Sequence, residues 1–198
     1  NASPHRGYEF TQWIIDPSKI STLSNGIEDP YNFLKIEGPV ELNASFSPIA
    51  FNLTLQDSDG GSASGPSTYT VLDAPFIQAN AYDGWEFTHW TGDTEYLSNP
   101  ETSGSTVDHS SLELKNLTFT PNFSRKVYDI TLNSQGSGSF EIFKDGAFYN
   151  SGTSPQLIAI DSATRIGVDA IPSNGWKFSN WFALPDPNEL SDPNPSLN

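Results

Sequence analysis

The chain has 198 residues, enough for one large domain or for two to three small ones. Nine Lys and Arg against 24 Asp and Glu give a formal net charge of −15, which argues against nucleic acid or anionic lipid as a partner, because phosphate binding needs clustered basic side chains. The chain has no cysteine, which excludes a disulfide scaffold and thiol chemistry, and it has no apolar run approaching the roughly 20 residues of a membrane helix.

The first feature along the chain is an aromatic motif: Gly, an aromatic residue, any residue, Phe, two polar residues and Trp. It occurs three times, and its copies contain all five tryptophans. Recurrence of so specific a pattern indicates a tandem array. The motif residues are Gly7, Tyr8, Phe10, Trp13, Gly84, Trp85, Phe87, Trp90, Gly175, Trp176, Phe178 and Trp181.

Other segments repeat at the same spacing of 77 residues that separates Gly7 from Gly84. Val40–Ser47 corresponds to Leu117–Ser124, and Ala50–Leu55 corresponds to Val127–Leu132. We therefore predict the C-terminal half of a first repeat (1–47), a complete second repeat (48–124) and a third repeat truncated at its C-terminal end (125–198). The absence of methionine, with a motif so near the first residue, leads us to expect part of a longer polypeptide.

Alternating apolar residues indicate the secondary structure between the motifs. Period-two patterns are typical of antiparallel strands with one buried face, and no segment keeps a helical period over more than about two turns. Asp145-Gly146 predicts a type I′ hairpin in the third repeat, and one short helix is expected near residues 90–97. The predicted fold is mainly β: tandem small modules, β-grasp-like or sandwich-like, with few or no helices. The alternating sets include Phe51, Leu53, Leu55, Ile77, Ala79, Ala81, Ile166, Val168 and Ala170.

The spacing of the motif predicts a small aromatic core. Trp85 and Phe87 are two residues apart and therefore point to the same side of a strand. Trp90 reaches that side if a turn follows Phe87, and Gly84 permits the tight bend that delivers the strand. The alternative hypothesis is that these rings form an exposed platform for stacking sugars. Burial is favoured because Phe119 and Phe123 also recur and need an apolar surface to pack on.

These elements resemble the divergent internalin-B-type B-repeats of bacterial surface and secreted proteins. The resemblance is carried by Tyr128–Leu132, by Gly136–Phe140, by the alternating strand Ile166–Pro172, and by the motif from Gly175 to Trp181, with closing strands at Leu117–Phe123 and Val40–Phe46. It implies small β-rich modules between other domains, with roles in spacing, display or adhesion and without catalysis. Two segments, 14–35 and 93–111, are longer than the family pattern.

Because binding often resides on loops, the long segments lead us to candidate ligand-binding residues. We predict Tyr31, Phe33, Tyr96 and Tyr149 as the aromatic side chains that would contact a ligand. The corresponding partners would be surface glycans or other surface or secretion proteins, besides the neighbouring domains of the same polypeptide. Nucleic acid and membrane insertion are not expected.

No catalytic or cofactor constellation is evident. His5, His89 and His109 are far apart and match neither zinc nor nucleophile spacing. Asp57 and Asp59 in a Gly-rich turn are a calcium candidate, but they lack the remaining EF-hand ligands, so we predict a plain turn and no cofactor. Ser162, within Asp161-Ser162-Ala163, resembles a short bacterial O-glycosylation motif.

Two hypotheses follow. The first is a non-catalytic extracellular stalk or adhesin-type spacer of a large bacterial surface or secreted protein. The second is a carbohydrate-binding accessory module of a secreted polysaccharide-degrading enzyme. They differ in whether aromatic side chains are buried or exposed to a ligand.

Overall fold

The computed structural model describes residues 1–110 and 112–182, and these residues form a mainly β structure, which confirms the predicted fold class. Two short 3-10 turns, Pro17–Thr22 and Thr94–Tyr96, accompany the strands, and the second lies where a short helix was expected. The fourteen strands of this part of the chain are β1 Tyr8–Ile15, β2 Leu42–Pro48, β3 Phe51–Leu55, β4 Gly61–Ser64, β5 Thr68–Tyr69, β6 Phe76–Ala81, β7 Trp85–Gly92, β8 Gly104–Thr106, β9 Leu117–Arg125, β10 Val127–Leu132, β11 Gly138–Lys144, β12 Ala147–Gly152, β13 Gln156–Asp161 and β14 Ile166–Pro172.

The chain forms two compact units, unit 1 with residues 1–124 and unit 2 beginning at Arg125. Unit 1 contains the residues assigned above to the first and second repeats, and unit 2 contains those assigned to the third. The three repeat boundaries themselves stay a prediction. Charge is unevenly shared: residues 1–124 carry four Lys and Arg against 16 Asp and Glu, whereas residues 125–198 carry five against eight.

Unit 1 contains three small sheets, with strand orders β1-β2, β5-β3-β9-β7 and β4-β6-β8. The pairing of β3 with β9 is parallel, with Leu53 opposite Leu117 and Leu55 opposite Phe119. The alternation of β3 and β9 indicated antiparallel strands, and for this pair that expectation is wrong. A parallel pair needs a long crossover, and residues 56–116, which contain β4 to β8, supply it.

One hydrophobic core stabilises the second-repeat part of unit 1. Its centre is formed by one face of β3, β6 and β9, as alternation predicted, with Ile77, Leu117 and Phe119 fully buried. Burying such side chains contributes roughly 1.5–3 kcal/mol each. Residues from the long segment after β7 complete the core. Its buried members are Leu53, Tyr69, Ile77, Ala79, Trp90, Tyr96, Leu97, Val107, Leu117 and Phe119.

Unit 2 contains a two-stranded sheet, β10-β13, and a three-stranded sheet, β12-β11-β14. Lys144 pairs with Ala147 across a turn in which Asp145 and Gly146 have φ of +52° and +84°. Positive φ at both central residues is the signature of a type I′ turn, so the predicted hairpin is confirmed. The core of unit 2 is smaller and is centred on Ile142, Ile158 and Ile160.

Candidate functional site

The three motif copies share one backbone conformation. Gly7, Gly84 and Gly175 have φ of +77°, +78° and +85°, a region that glycine enters without steric cost. In each copy the amide of the following aromatic residue donates to the carbonyl three residues before it, at 3.0, 3.0 and 2.9 Å. The glycine therefore makes a tight turn that directs the chain into the motif.

The motif rings also repeat their geometry. The ring centroids of Phe and Trp lie 5.4 Å apart in the first copy, 5.8 Å in the second and 5.3 Å in the third, with interplanar angles of 59°, 55° and 52°. Such tilted contacts contribute about 0.5–1.5 kcal/mol beyond area burial. The motif thus builds the same ring pair three times.

A β-bulge, and not the expected turn, places both rings on one side. Strand β1 continues past Phe10 to Ile15, and its register with β2 shifts between Phe10 and Gln12. One extra residue shifts the alternation of side chains, while the strand keeps its remaining ladder hydrogen bonds. In β7, which also runs on to Gly92, two consecutive exposed residues precede buried Trp90.

The loop after the motif folds back over its tryptophan in the first two copies. The indole Nε1 of Trp13 donates to the carbonyl of Asp29 at 2.9 Å, and that of Trp90 donates to the carbonyl of Thr102 at 3.0 Å. The backbone amides of the same tryptophans donate to the carbonyls of Ile27 and Pro100. Each loop thereby satisfies the polar atom of a ring that packs on the module.

The five tryptophans differ in burial, although their motifs match. Trp90 is 2% exposed, and Trp13, Trp85 and Trp181 are half-buried. Trp176 is 57% exposed, so the expectation of a core position is wrong for this residue. In unit 1 a Cβ on Gly60 would meet both Trp85 and Phe123 of β9, whereas a Cβ on Gly136 would meet Trp176 alone. In the described part of unit 2, no strand equivalent to β9 covers this ring.

The predicted ligand-binding aromatics fall into two groups. Tyr31 and Phe33 are 52% and 66% exposed and form an edge-to-face pair with centroids 5.3 Å apart. Tyr149 on β12 is also exposed, with Lys144 Nζ 5.9 Å from its ring centroid. Tyr96 is only 3% exposed and donates its hydroxyl to the carbonyl of Glu113, so a ligand-binding role for Tyr96 is wrong.

The segment that carries Tyr96 is held in place by the hydrogen bonds and the ion pair of Asp93. The Asp93 carboxylate accepts hydrogen bonds from Lys115 Nζ at 2.7 Å and from the Thr118 amide at 2.8 Å. Burial raises the pKa of Asp93, but these two hydrogen bonds and the Lys115 charge outweigh it and leave the pKa below its ordinary value. Leu97 and Val107 then enter the core. Much of the segment we expected to be a binding loop is therefore structural.

The first motif turn packs against the second repeat. The Arg6 guanidinium donates to the backbone carbonyls of His109, Ser110 and Leu112. A Cβ on Gly7 would overlap Val71 and crowd Leu114, so the glycine also permits the close approach of the two repeats. The sequence contained no signal for this contact, because Arg6 and its acceptors lie more than 100 residues apart.

A cavity of about 240 Å³ lies in unit 2 beside the third motif. Its apolar wall is formed by Phe140, Trp176, Phe178 and Trp181. Asn133, Gln135, Asn180 and several serines supply polar groups around its rim. Sequence pattern does not reveal this concave site, because its walls come from segments that are 30 or more residues apart in the chain.

A family model, the divergent InlB B-repeat domain, matches residues 1–50 and matches again over residues 51–126. The chain belongs to this family. No curated protein and no solved structure matches the chain.

Divergent InlB B-repeats are bacterial surface repeats and are generally non-catalytic. The third motif copy, from Gly175 to Trp181, lies beyond the residues that the family model matches, although its ring pair has the same geometry as the other two. Within the described residues, no helix is long and apolar enough to cross a membrane.

The remaining candidate residues of these B-repeats have local structural contacts. Asp57 accepts a hydrogen bond from the Ala63 amide at 3.0 Å within its turn, and the described residues contain no group of three ligands suited to a metal. Buried His109 contacts the ring of Tyr69 and hydrogen-bonds the Asp73 carbonyl. Ser162 is half-buried in a turn, where its amide donates to the Lys126 carbonyl. The prediction of a plain turn without calcium at Asp57 and Asp59, and that of glycosylation at Ser162, both stay untested.

Proposed function

We propose that the chain is a non-catalytic, extracellular spacer of stalk or adhesin type within a large bacterial surface or secreted protein. Its partners on this proposal are the neighbouring domains of the same polypeptide, which it holds apart and displays. The observation that carries the proposal is the contact between the first motif turn and the second repeat. A spacer that sets distance needs consecutive repeats to dock, because freely jointed repeats behave like a flexible linker.

The docking contact is suited to that purpose. Arg6 satisfies three backbone carbonyls with one planar guanidinium, whose rigid fork loses little entropy on binding. The amide of Ile49, just after β2, donates to the Gly7 carbonyl at 2.8 Å and ties the turn to the junction. The contact uses backbone acceptors and a glycine, so hydrogen bonds and a close backbone approach fix the orientation of the two repeats.

A distance measurement tests this proposal. The chain has no cysteine, so Asn43→Cys and Glu101→Cys, both at exposed positions, allow specific labelling with a fluorophore pair across the two repeats. We expect a narrow distribution of transfer efficiencies in single-molecule fluorescence. Arg6→Ala should broaden it, whereas the exposed basic control Lys35→Ala should not. A distribution as broad in the parent as in a Gly/Ser linker would remove the basis of the spacer proposal.

A carbohydrate-binding accessory role is the second candidate, and one observation favours it. The exposed pair Tyr31 and Phe33 presents two aromatic surfaces on the segment between β1 and β2. Affinity electrophoresis against a panel of soluble polysaccharides distinguishes the two roles. If the chain is only a spacer, its mobility should be the same in every gel, whichever polysaccharide the gel contains. Retardation by one polysaccharide, abolished by Tyr31→Ala with Phe33→Ala but retained with Tyr149→Ala, would establish a glycan-binding module instead.

A further inference from the structure

The chain contains two Asn-Gly steps, and both lie in the same tripeptide. Ser24-Asn25-Gly26 belongs to the segment between β1 and β2, and Ser173-Asn174-Gly175 leads into the third motif. Because glycine has no side chain to shield its amide nitrogen, this nitrogen can attack the side-chain carbonyl carbon of the preceding asparagine. The local sequences match, so the fold determines any difference in reactivity between the two sites.

The first of these asparagines, Asn25, is restrained by hydrogen bonds. Its Nδ2 donates to the carbonyl of Tyr31 at 2.6 Å, and its backbone amide donates to Oδ1 of Asn32 at 2.9 Å. Asn32 Nδ2 in turn donates to the carbonyls of Gly26 and Asp29, at 2.8 and 2.7 Å. These bonds restrict both the carboxamide and the glycine that would attack it, and even a misplacement of about 1 Å slows such a ring closure roughly 10²-fold.

The second asparagine, Asn174, lies in an open turn. The Trp176 amide donates to the Ser173 carbonyl at 2.9 Å, and Gly175 has a φ of +85°. Asn174 and Gly175 are the two central residues of this turn, and both are exposed. Within the described part of the chain, neither the Asn174 side chain nor the Gly175 amide makes a hydrogen bond, so the carboxamide is free to rotate toward the glycine nitrogen.

The second repeat supports the exposure of this position. Its motif turn has Asp83 where the third has Asn174, and Asp83 is exposed although the strands of the second repeat surround its motif. The first residue of the turn is Tyr82, whose carbonyl accepts from the Trp85 amide at 3.0 Å in the same way. Packing of a repeat around its motif therefore leaves this position open to water.

We propose that Asn174 undergoes spontaneous deamidation and that Asn25 is protected from it. The Gly175 nitrogen, after losing its proton, attacks Cγ of Asn174. The Cγ–Nδ2 bond breaks, the amino group leaves with a proton as ammonia, and a five-membered succinimide closes. Water then opens the ring at either carbonyl, which leaves an aspartate or an isoaspartate at position 174. The reaction consumes water, involves no oxidation and does not depend on the spacer proposal.

The modified position precedes the motif glycine, where the charge differs between the copies. The first copy has Arg6, whose guanidinium docks on the second repeat, and the second copy has Asp83. Deamidation gives the third motif the negative charge that the second already has. Isoaspartate changes the turn further, because its main chain runs through Cγ and is one carbon longer. The hydrogen bond from the Trp176 amide then has to form across a longer loop.

Peptide mapping of the full chain, incubated at mildly alkaline pH, tests the proposal. Trypsin places the two Asn-Gly steps in separate peptides, 20–35 and 166–177. We expect peptide 166–177 to yield two products with an acid in place of the amide, aspartate and isoaspartate, which fragment ions assign to position 174. Asn25 should react at least about tenfold more slowly. In concentrated urea the two rates should become similar, because the tripeptides are identical.

Two variants serve as controls. Asn32→Ala removes bonds that hold Asn25 and Gly26, and it should speed deamidation of Asn25 while the rate at Asn174 stays the same. Asn174→Gln keeps a carboxamide but requires a six-membered ring, so the products of peptide 166–177 should disappear.

Three results would overturn the proposal. They are equal rates at the two sites in the folded chain, faster reaction at Asn25, and protection of Asn174 relative to urea as strong as that of Asn25. The comparison of folded and urea-treated parent does not require any variant to fold. An Asn25 rate unchanged by Asn32→Ala, in a variant that folds, would refute the account of how Asn25 is protected.

Discussion

Gly7 and Gly26 have nearly the same backbone conformation in different surroundings. Their φ values are +77° and +83°, so both lie where a side chain is strained. A Cβ on Gly26 would have no heavy atom within 4 Å, whereas a Cβ on Gly7 would overlap Val71 of the second repeat. Alanine substitutions at these two glycines therefore separate the free-energy cost of backbone strain from that of disturbing the contact between the repeats.

We predict that Gly26→Ala lowers the free energy of unfolding by about 1–2 kcal/mol, the cost of a left-handed conformation. Gly7→Ala should cost a further 1–3 kcal/mol or so, because the new methyl group overpacks the junction. Urea denaturation followed by tryptophan fluorescence measures both. Equal losses of unfolding free energy in the two variants would show that the contact between the repeats accommodates the new methyl group. The repeats would then be only loosely docked.

Because the Asp93 carboxylate is hydrogen-bonded in the folded protein, we expect its contribution to stability to depend on pH. Its carboxyl pKa lies below the ordinary value of 3.8 in the folded protein, so its contribution to stability is complete well above that value and is lost as the pH falls through the folded pKa. Asp93→Asn should therefore cost about 1–2 kcal/mol at pH 7 and progressively less below about pH 5.

Denaturation of parent and variant from pH 7 to pH 2 measures that difference. Asp83→Asn, at an exposed carboxylate, is the matched control for the loss of one negative charge. A difference for Asp93→Asn that persists unchanged at pH 2 would mean that the carboxylate charge does not hold the segment.

At the scale of elements, the closing strands β2 and β9 end in equivalent aromatic residues. Phe46 and Phe123 contact their motif phenylalanines with centroids 5.9 and 6.0 Å apart. Phe123 also lies against Gly60 and Gly61, whereas Phe46 is 38% exposed. The phenylalanine that ends the closing strand thus has a larger packing role in the second repeat than in the first.

We predict that Phe123→Ala destabilises unit 1 by about 2 kcal/mol and Phe46→Ala by about 1 kcal/mol, because the Phe123 ring is packed on more sides than the Phe46 ring. Phe123→Ala should also uncover Trp85 and make it resemble Trp176. Acrylamide quenching of tryptophan emission reports that exposure. If the two variants gave the same stability loss and the same quenching, the additional contacts of Phe123 would not govern ring burial.

Strand positions and the motif turn could be predicted because they depend on residues close in sequence. Alternation located β3, β6 and β14, and glycine before an aromatic residue located the tight turn. The bulge after Phe10 could not be predicted, since several backbone paths bring two rings to one side. The burial of Tyr96 and the exposure of Trp176 were missed for a different reason. Each depends on which distant segment covers the ring, and local pattern carries no information about that.

At the scale of the molecule, the two units have separate cores, so we expect substitutions to act on one unit at a time. Phe119→Ala should shift the unfolding transition of unit 1, and Ile142→Ala that of unit 2, by about 2–5 kcal/mol each, because both side chains are fully buried. Tryptophans at 13, 85 and 90 report on unit 1, and those at 176 and 181 report on unit 2.

Variants that keep the tryptophans of one unit only, with phenylalanine at the others, resolve the two transitions in urea. The parent with each reporter set is the control for the phenylalanine substitutions. A single transition that both Phe119→Ala and Ile142→Ala displace would show that the chain unfolds as one cooperative body.

The acidic side chains of this protein are concentrated in the N-terminal part of its sequence. Residues 1–124 carry 16 acidic against four basic side chains, whereas residues 125–198 carry eight against five. Because like charges repel, residues 1–124 resist the close approach of another acidic surface more strongly than the rest of the chain does, and salt screens this repulsion beyond about one Debye length, roughly 8 Å at physiological salt. Higher ionic strength should therefore ease contact between this part of the chain and acidic molecules, without any change in its fold.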